Sequence, residues 1–409
     1  MNEKKVGRKN RNKKEFFLLI STTLIFLSIA ITVLEYYLRT DGSFMITTQY
    51  HSEFGWDNVP SFRGKDQKIQ YTHNSQGYRS EEVQKGKKQI IFIGDSVTYG
   101  SGAKDEDIFS FELSQKITEF QILNLGVNAY GLDQSYIRLE KIIDQLNPKL
   151  IIVLIFSGND LSELSVDSHW GKSKPYFTID RTKPIYKINT QALLSGNFNL
   201  KTTKTIDPNS LRLNQNHISQ FSCMNLLSRG EWQWSLFAIK LRDQFCKVAP
   251  TLSKLDQELV MKGILLKFKN LAQIKKAKII FGLTPYIKDF KYNSLREFKG
   301  ILKKIKTLPL ETQEKKLDSI SFQNYRNIRH FSYLSFLAFQ KAITELNLPT
   351  INFYNIIKEK NWHPKELFID GVHLNAEGHD KYTEVFFKTI QKELCPTLKP
   401  KPAFCQNTI

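Results

Sequence analysis

Five short apolar runs, each rich in Ile, Val, Leu or Phe, restrict the possible folds of this chain more than any other feature: 89–93, 121–125, 150–156, 278–283 and 349–353. They are continuous rather than alternating, as expected of strands buried on both faces of a parallel sheet. Helical periodicity fills the gaps between them. It runs over 108–120, 133–146, 256–277, 331–346 and 375–394. Strand alternating with helix predicts a three-layer α/β domain with right-handed crossovers.

A different pattern precedes that domain. Phe16 to Leu34 is nineteen residues without a charge, which at about 1.5 Å per residue spans a hydrocarbon core of about 30 Å. One transmembrane helix over 16–38 is expected. A cleaved signal peptide is the competing reading, but its apolar core is usually about 7–15 residues long and ends in a small-x-small site. Here Glu35-Tyr36-Tyr37-Leu38-Arg39 follows instead. Residues 1–14 hold seven basic side chains and one acid, contributing +6 of the net +19. The positive-inside rule then predicts a cytoplasmic tail over 1–15, a single-pass anchor in the cell membrane and an extracytoplasmic remainder.

In an oxidising compartment four cysteines can form two bridges, and spacing favours Cys223 with Cys246 and Cys395 with Cys405. Free thiols buried as small hydrophobes are the alternative. No CxxC, Walker A, HExxH or EF-hand pattern occurs, so neither metal nor cofactor is implied. The basic surface lacks any reader motif and faces away from the cytoplasm, so no nucleic-acid partner is expected.

Two stretches exceed what the alternating pattern needs. The first, 161–255, contains 174–180 and 184–188, which read as a small hairpin. The second, 286–330, is Lys-rich; its amphipathic pattern suits an anionic membrane or polymer, or simply a solvated charged face. The remaining boundaries are a lead-in over 39–86, the main domain over 87–394 and a tail over 395–409.

In an open parallel sheet, ligands bind beyond the carboxyl ends of the strands. The residues there are Gly94-Asp95-Ser96, Gly126-Val127-Asn128-Ala129, Ser157-Gly158-Asn159-Asp160 and, after the fifth run, Asp370-Gly371-Val372-His373. Each alone is weak: Gly-Asp-Ser suits a tight turn, and Asp370 can cap a helix. Their joint placement on one rim predicts an active site.

Together these blocks resemble the SGNH hydrolase superfamily, the GDSL-type esterases, over roughly 53–394 with both insertions unmatched. Gly55-Trp56, Pro60 and Asn74-Ser75-Gln76-Gly77-Tyr78-Arg79 resemble the lead-in of membrane-anchored bacterial members. The resemblance implies a flavodoxin-like α/β/α fold around a five-stranded parallel sheet. It further implies a Ser96, Asp370, His373 triad and an oxyanion hole from the N–H groups of Ser96 and Ala129 with the amide of Asn159. Two positions depart from the family pattern: Ser157 stands where Gly is usual, and Ala129 stands at the oxyanion Gly, with Gly126 the second choice for that donor.

Acyl transfer needs these groups. A serine hydroxyl attacks only with a base in reach, the base needs an orienting acceptor, and the tetrahedral oxyanion needs aimed donors. Asp95 and Asp160 are expected to brace their loops. Ser101-Gly102-Ala103-Lys104 fits Ser-x-x-Lys, but the accompanying penicillin-binding motifs are absent. The expected activity is ester hydrolysis, O-acetyl foremost, on an envelope carbohydrate. O-acyl transfer, with a multi-pass acyltransferase as partner, and a non-catalytic polysaccharide-binding role are the alternatives.

Overall fold

The computed structural model describes residues 3–40, 47–66, 69–169, 172–188, 204–216, 218, 228–229, 232–233, 252, 254–291 and 332–406. Five strands form the central sheet: β1 (Gln89–Ile93), β2 (Gln121–Asn124), β3 (Pro148–Phe156), β4 (Lys278–Thr284) and β5 (Thr350–Asn352). All pair in parallel, in the order β5-β4-β3-β1-β2. This is the flavodoxin-like order, whose switch point lies between β1 and β3.

Alternate residues of each strand enter opposite cores, as the period of two requires. Ile91, Ile93, Ile151, Val153, Ile155 and Phe281 pack with α2 (Leu132–Ile142), α3 (Lys254–Ile274) and α4 (Ser332–Glu345). Ile90, Phe92, Leu150, Ile152, Leu154 and Ile280 pack on the other face with α1 (Phe109–Lys116) and α5 (Ala376–Leu394). The three expected layers are present. Helix ends fall within a few residues of the periodicity, and β3 begins at Pro148, two residues before the apolar run does.

Two antiparallel hairpins from the lead-in, Thr48–His51 with Gly55–Asn58 and Arg63–Asp66 with Ile69–Thr72, grip the loops at the carboxyl ends of the strands. Trp56 Nε1 donates to Asn128 O at 2.9 Å, and Asn58 Nδ2 donates to Gly126 O at 2.9 Å. Arg79, buried between the Tyr71 and Tyr99 rings, donates to the carbonyls of Tyr99, Gly100 and Ala103. At the other end, Cys395 and Cys405 form a disulfide that holds the tail under Phe120 and α5. Cys223 and Cys246 lie outside the described residues.

The hairpin read over 174–180 and 184–188 is not formed. Tyr176–Ile179 pairs instead with Leu211–Asn214, and Tyr186–Ile188 with Lys204–Ile206, both antiparallel. The outer pair packs on α3, where Leu211 and Phe177 enter the core, and this tertiary contact decides the partner. Of the second insertion, residues 292–330 lie outside the described residues. Among the described residues one helix is long and apolar enough to cross a membrane: Lys14–Leu34, within Glu3–Thr40, with its side chains exposed.

Candidate active site

The chain leaves β1 through Gly94 and Asp95 into one helical turn, Ser96–Tyr99. Asp95 caps it, accepting the Val97 N–H at 2.9 Å, and Gly100, at φ +84°, ends it. Ser96 is thus the first residue of the turn, where the backbone N–H has no partner within the helix.

The loop ahead of α5 reaches this turn. His373 Nε2 lies 2.9 Å from Ser96 Oγ, and His373 Nδ1 lies 2.8 Å from Asp370 Oδ2. Asp370 Oδ1 also accepts the N–H groups of Val372 (2.8 Å) and His373 (2.9 Å), closing a tight loop with Gly371 at φ +89°. Partial burial pushes the Asp370 carboxyl upward, but the bonds and charge of His373 and the two N–H groups outweigh it and hold the carboxyl below its ordinary range. An ionised acceptor on Nδ1 keeps the ring proton there and leaves the Nε2 lone pair for the Ser96 hydroxyl.

The loop after β2 lies against the same turn. Val127 N–H donates to Gly94 O at 3.1 Å. A Cβ on Gly126 would fall 2.2 Å from Tyr99 N, so only glycine permits this approach. The Gly126 N–H donates to Asn124 Oδ1 at 3.0 Å, which removes it as the second-choice oxyanion donor. Ala129, the first choice, is buried at φ +62°, a left-handed conformation that glycine adopts without strain.

Asn159 follows β3 and immediately precedes the turn Asp160–Glu163. Its Nδ2 donates to Glu163 Oε1 at 2.7 Å, and its buried Oδ1 has no hydrogen-bond partner. Ser157 makes use of its hydroxyl. Its Oγ donates to Asp289 Oδ2 at 2.8 Å and accepts the Tyr286 N–H at 3.1 Å, joining the loops after β3 and β4.

Beneath the rim lies a buried acidic floor. Asp160 Oδ2 accepts the Phe156 N–H at 2.7 Å, so it braces the loop as Asp95 does. Burial raises the carboxyl of Asp95 to about 6 and that of Asp160 well above its usual range, each carboxyl also feeling its neighbours. Glu163 is likewise raised by burial, against the pull of Lys174. Lys174, fully buried, donates to Asp133 Oδ2 at 2.5 Å and to Glu163 O at 3.1 Å. Sequence reasoning did not select Glu163, Asp133, Lys174 or Asp289. The one available signal was the four-residue spacing of Asn159 and Glu163, which puts both on one side of a helical turn. Among the described residues no cluster of His, Cys, Asp and Glu is arranged to hold a metal ion.

No protein-family model and no curated protein matches the chain. Similar solved structures are GDSL-type lipolytic proteins and esterases. One is a lipolytic protein of the G-D-S-L family from Veillonella parvula, at 12% identity and TM-score 0.34, covering 76% of this chain and 100% of that one. Another is a two-domain esterase active on acetylated mannans, at 12% identity and TM-score 0.35, covering 78% of this chain but only 53% of the esterase. A GDSL-like lipase from Bacteroides thetaiotaomicron is 14% identical with TM-score 0.32, covering 77% of this chain and 93% of that one. At such identities and scores, any conclusion about chemistry comes from the geometry of the site itself.

Proposed function

We propose that this chain is an SGNH-type serine esterase, anchored in the cell membrane by its N-terminal helix, that removes acyl groups, O-acetyl foremost, from a carbohydrate of the cell envelope. The observation that carries the reading is the continuous hydrogen-bonded line from Ser96 Oγ through His373 to Asp370 Oδ2.

In this mechanism His373 Nε2 takes the Ser96 proton as Oγ attacks the ester carbonyl, and Asp370 stabilises the imidazolium. The oxyanion is held by the Ser96 and Ala129 N–H groups and by the Asn159 amide. Imidazolium protonates the departing sugar oxygen, which leaves as a hydroxyl, and a water activated by the same ring hydrolyses the acyl-serine. The basic residues ahead of Lys14–Leu34 favour a cytoplasmic N-terminus, with the site on the opposite side. The envelope as substrate source follows from that topology and from the anchored bacterial lead-in that residues 55–79 resemble.

The test uses the full chain in detergent with 4-nitrophenyl acetate and an acetylated oligosaccharide. Wild type releases acetate from both substrates. Ser96→Ala and His373→Ala each abolish turnover, and the double mutant is hardly worse than either. Asn159→Ala lowers kcat by about 10²–10³ with KM little changed. Wild-type turnover in a folded Ser96→Ala variant would refute the reading. Acetylated acceptor sugar forming at the expense of free acetate would convert it to acyl transfer.

A further inference from the structure

Glu163 is a buried carboxyl whose Oε2 has no hydrogen-bond partner, in a chain that could have put leucine there. Such a group weighs on stability. Its surroundings nevertheless accommodate it. Gly131 leaves room: a Cβ there would come 3.2 Å from Glu163 Cβ and 3.3 Å from Oε2. Lys174 brings a positive charge onto the Glu163 carbonyl, and His169 Nδ1 lies 3.5 Å from Oε1. The contact these features support is the 2.7 Å bond from Asn159 Nδ2 to Oε1.

An asparagine amide is nearly symmetric in shape but not in chemistry: one end donates two hydrogen bonds and the other only accepts. An oxyanion donor is useful only if the nitrogen faces the reacting oxygen. Turned by half a rotation, Asn159 would aim a carbonyl oxygen at a developing negative charge. The backbone does not decide between the two orientations, since Oδ1 makes no hydrogen bond at all. We propose that Glu163 is a positioning residue for the oxyanion hole: its Oε1 accepts one Nδ2–H of Asn159 and thereby presents the other to the oxyanion formed on attack by Ser96. The Glu163 N–H to Asn159 O bond of 2.9 Å makes the two residues one helical turn, so the orienting group travels with the group it orients. The proposal rests on the esterase reading above, since without an acyl-serine there is no oxyanion to hold.

The experiment measures kcat and KM with 4-nitrophenyl acetate, labelling of Ser96 by a fluorophosphonate, and melting temperature, all on the full chain in detergent. Glu163→Leu should lose about 10–100-fold in kcat, the range typical of outer-shell positioning groups, with KM within about twofold. Its melting temperature should be unchanged or higher, a combination that a purely structural residue would not give. Glu163→Gln keeps an acceptor and should recover most of the loss. In an Asn159→Ala background, Glu163→Leu should add nothing further. Wild-type kcat in Glu163→Leu, a multiplicative loss on top of Asn159→Ala, or a variant too unstable to fold would each overturn the proposal while leaving the esterase reading intact. A wild-type chain that neither hydrolyses the ester nor takes up the fluorophosphonate would instead sink the esterase reading, and this proposal with it.

Discussion

The rim and the floor of the site are built from the same carboxyl chemistry under opposite conditions. On the rim, the Asp370 side chain is 51% exposed, accepts two backbone N–H groups and His373, and is held ionised. On the floor, Asp95, Asp160 and Glu163 are buried, with Asp95 Oδ2 and Glu163 Oε2 unpartnered, and all three are pushed toward the protonated form. In the proposed mechanism the Asp370 carboxyl steadies an imidazolium, a role that needs its charge and so a place near water and donors. Carboxyls that orient loops and amides need only acceptor oxygens, and burial does not spoil that role.

The comparison predicts that rim and floor substitutions divide between activity and stability. Asp370→Asn should lower kcat by about 10⁴, because an amide no longer selects the His373 tautomer, with the melting temperature nearly unchanged. A stopped assay with thermal unfolding on the same sample checks both. If Asp370→Asn instead destabilises the fold and spares kcat, the rim is structural after all.

Lys174→Met should do the reverse. It leaves Asp133 buried without its cation, which costs about 3–5 kcal/mol in comparable buried pairs, readable by urea unfolding. A Lys174→Met variant that unfolds like wild type would show that Asp133 does not depend on the lysine for stability.

A smaller effect comes from pH. Asp95 binds its proton more tightly folded, at about 6, than at the ordinary 3.8, so the stability it contributes is full below 3.8 and is lost as pH rises through 6. Asp95→Asn cannot lose it. The melting temperature of Asp95→Asn relative to wild type should therefore rise between pH 4 and pH 7, and a flat difference would place Asp95 among ordinary ionised carboxylates.

The smallest is at Ala129, whose left-handed φ of +62° costs an L-residue about 1 kcal/mol. Ala129→Gly should keep kcat, because the donor is a backbone N–H, and should change stability by no more than that amount. A large loss of kcat would mean the Ala methyl itself shapes the acyl pocket.

Apolar runs and their spacing were sufficient to read the sheet, the helices that cover it and the residues at the strand ends, because burial on both faces and emergence at the carboxyl edge are local consequences of strand geometry. The places of Ser96, Asn159, Asp370 and His373 were legible for that reason: the first two stand just beyond a strand and the last two just ahead of the helix Ala376–Leu394, all elements whose period can be counted. The partner of Cys395 was legible too, since short spacing leaves few choices. Tertiary structure alone decided the rest. The strand at 176–179 took a distant partner because α3 buries Phe177 and Leu211 together, a contact no local pattern encodes. Ser157 found Asp289 more than a hundred residues away. The roles of Glu163 and Lys174 depend on what encloses them, since a carboxyl or an ammonium in the sequence has no pKa environment, partner or orientation until packing removes its water.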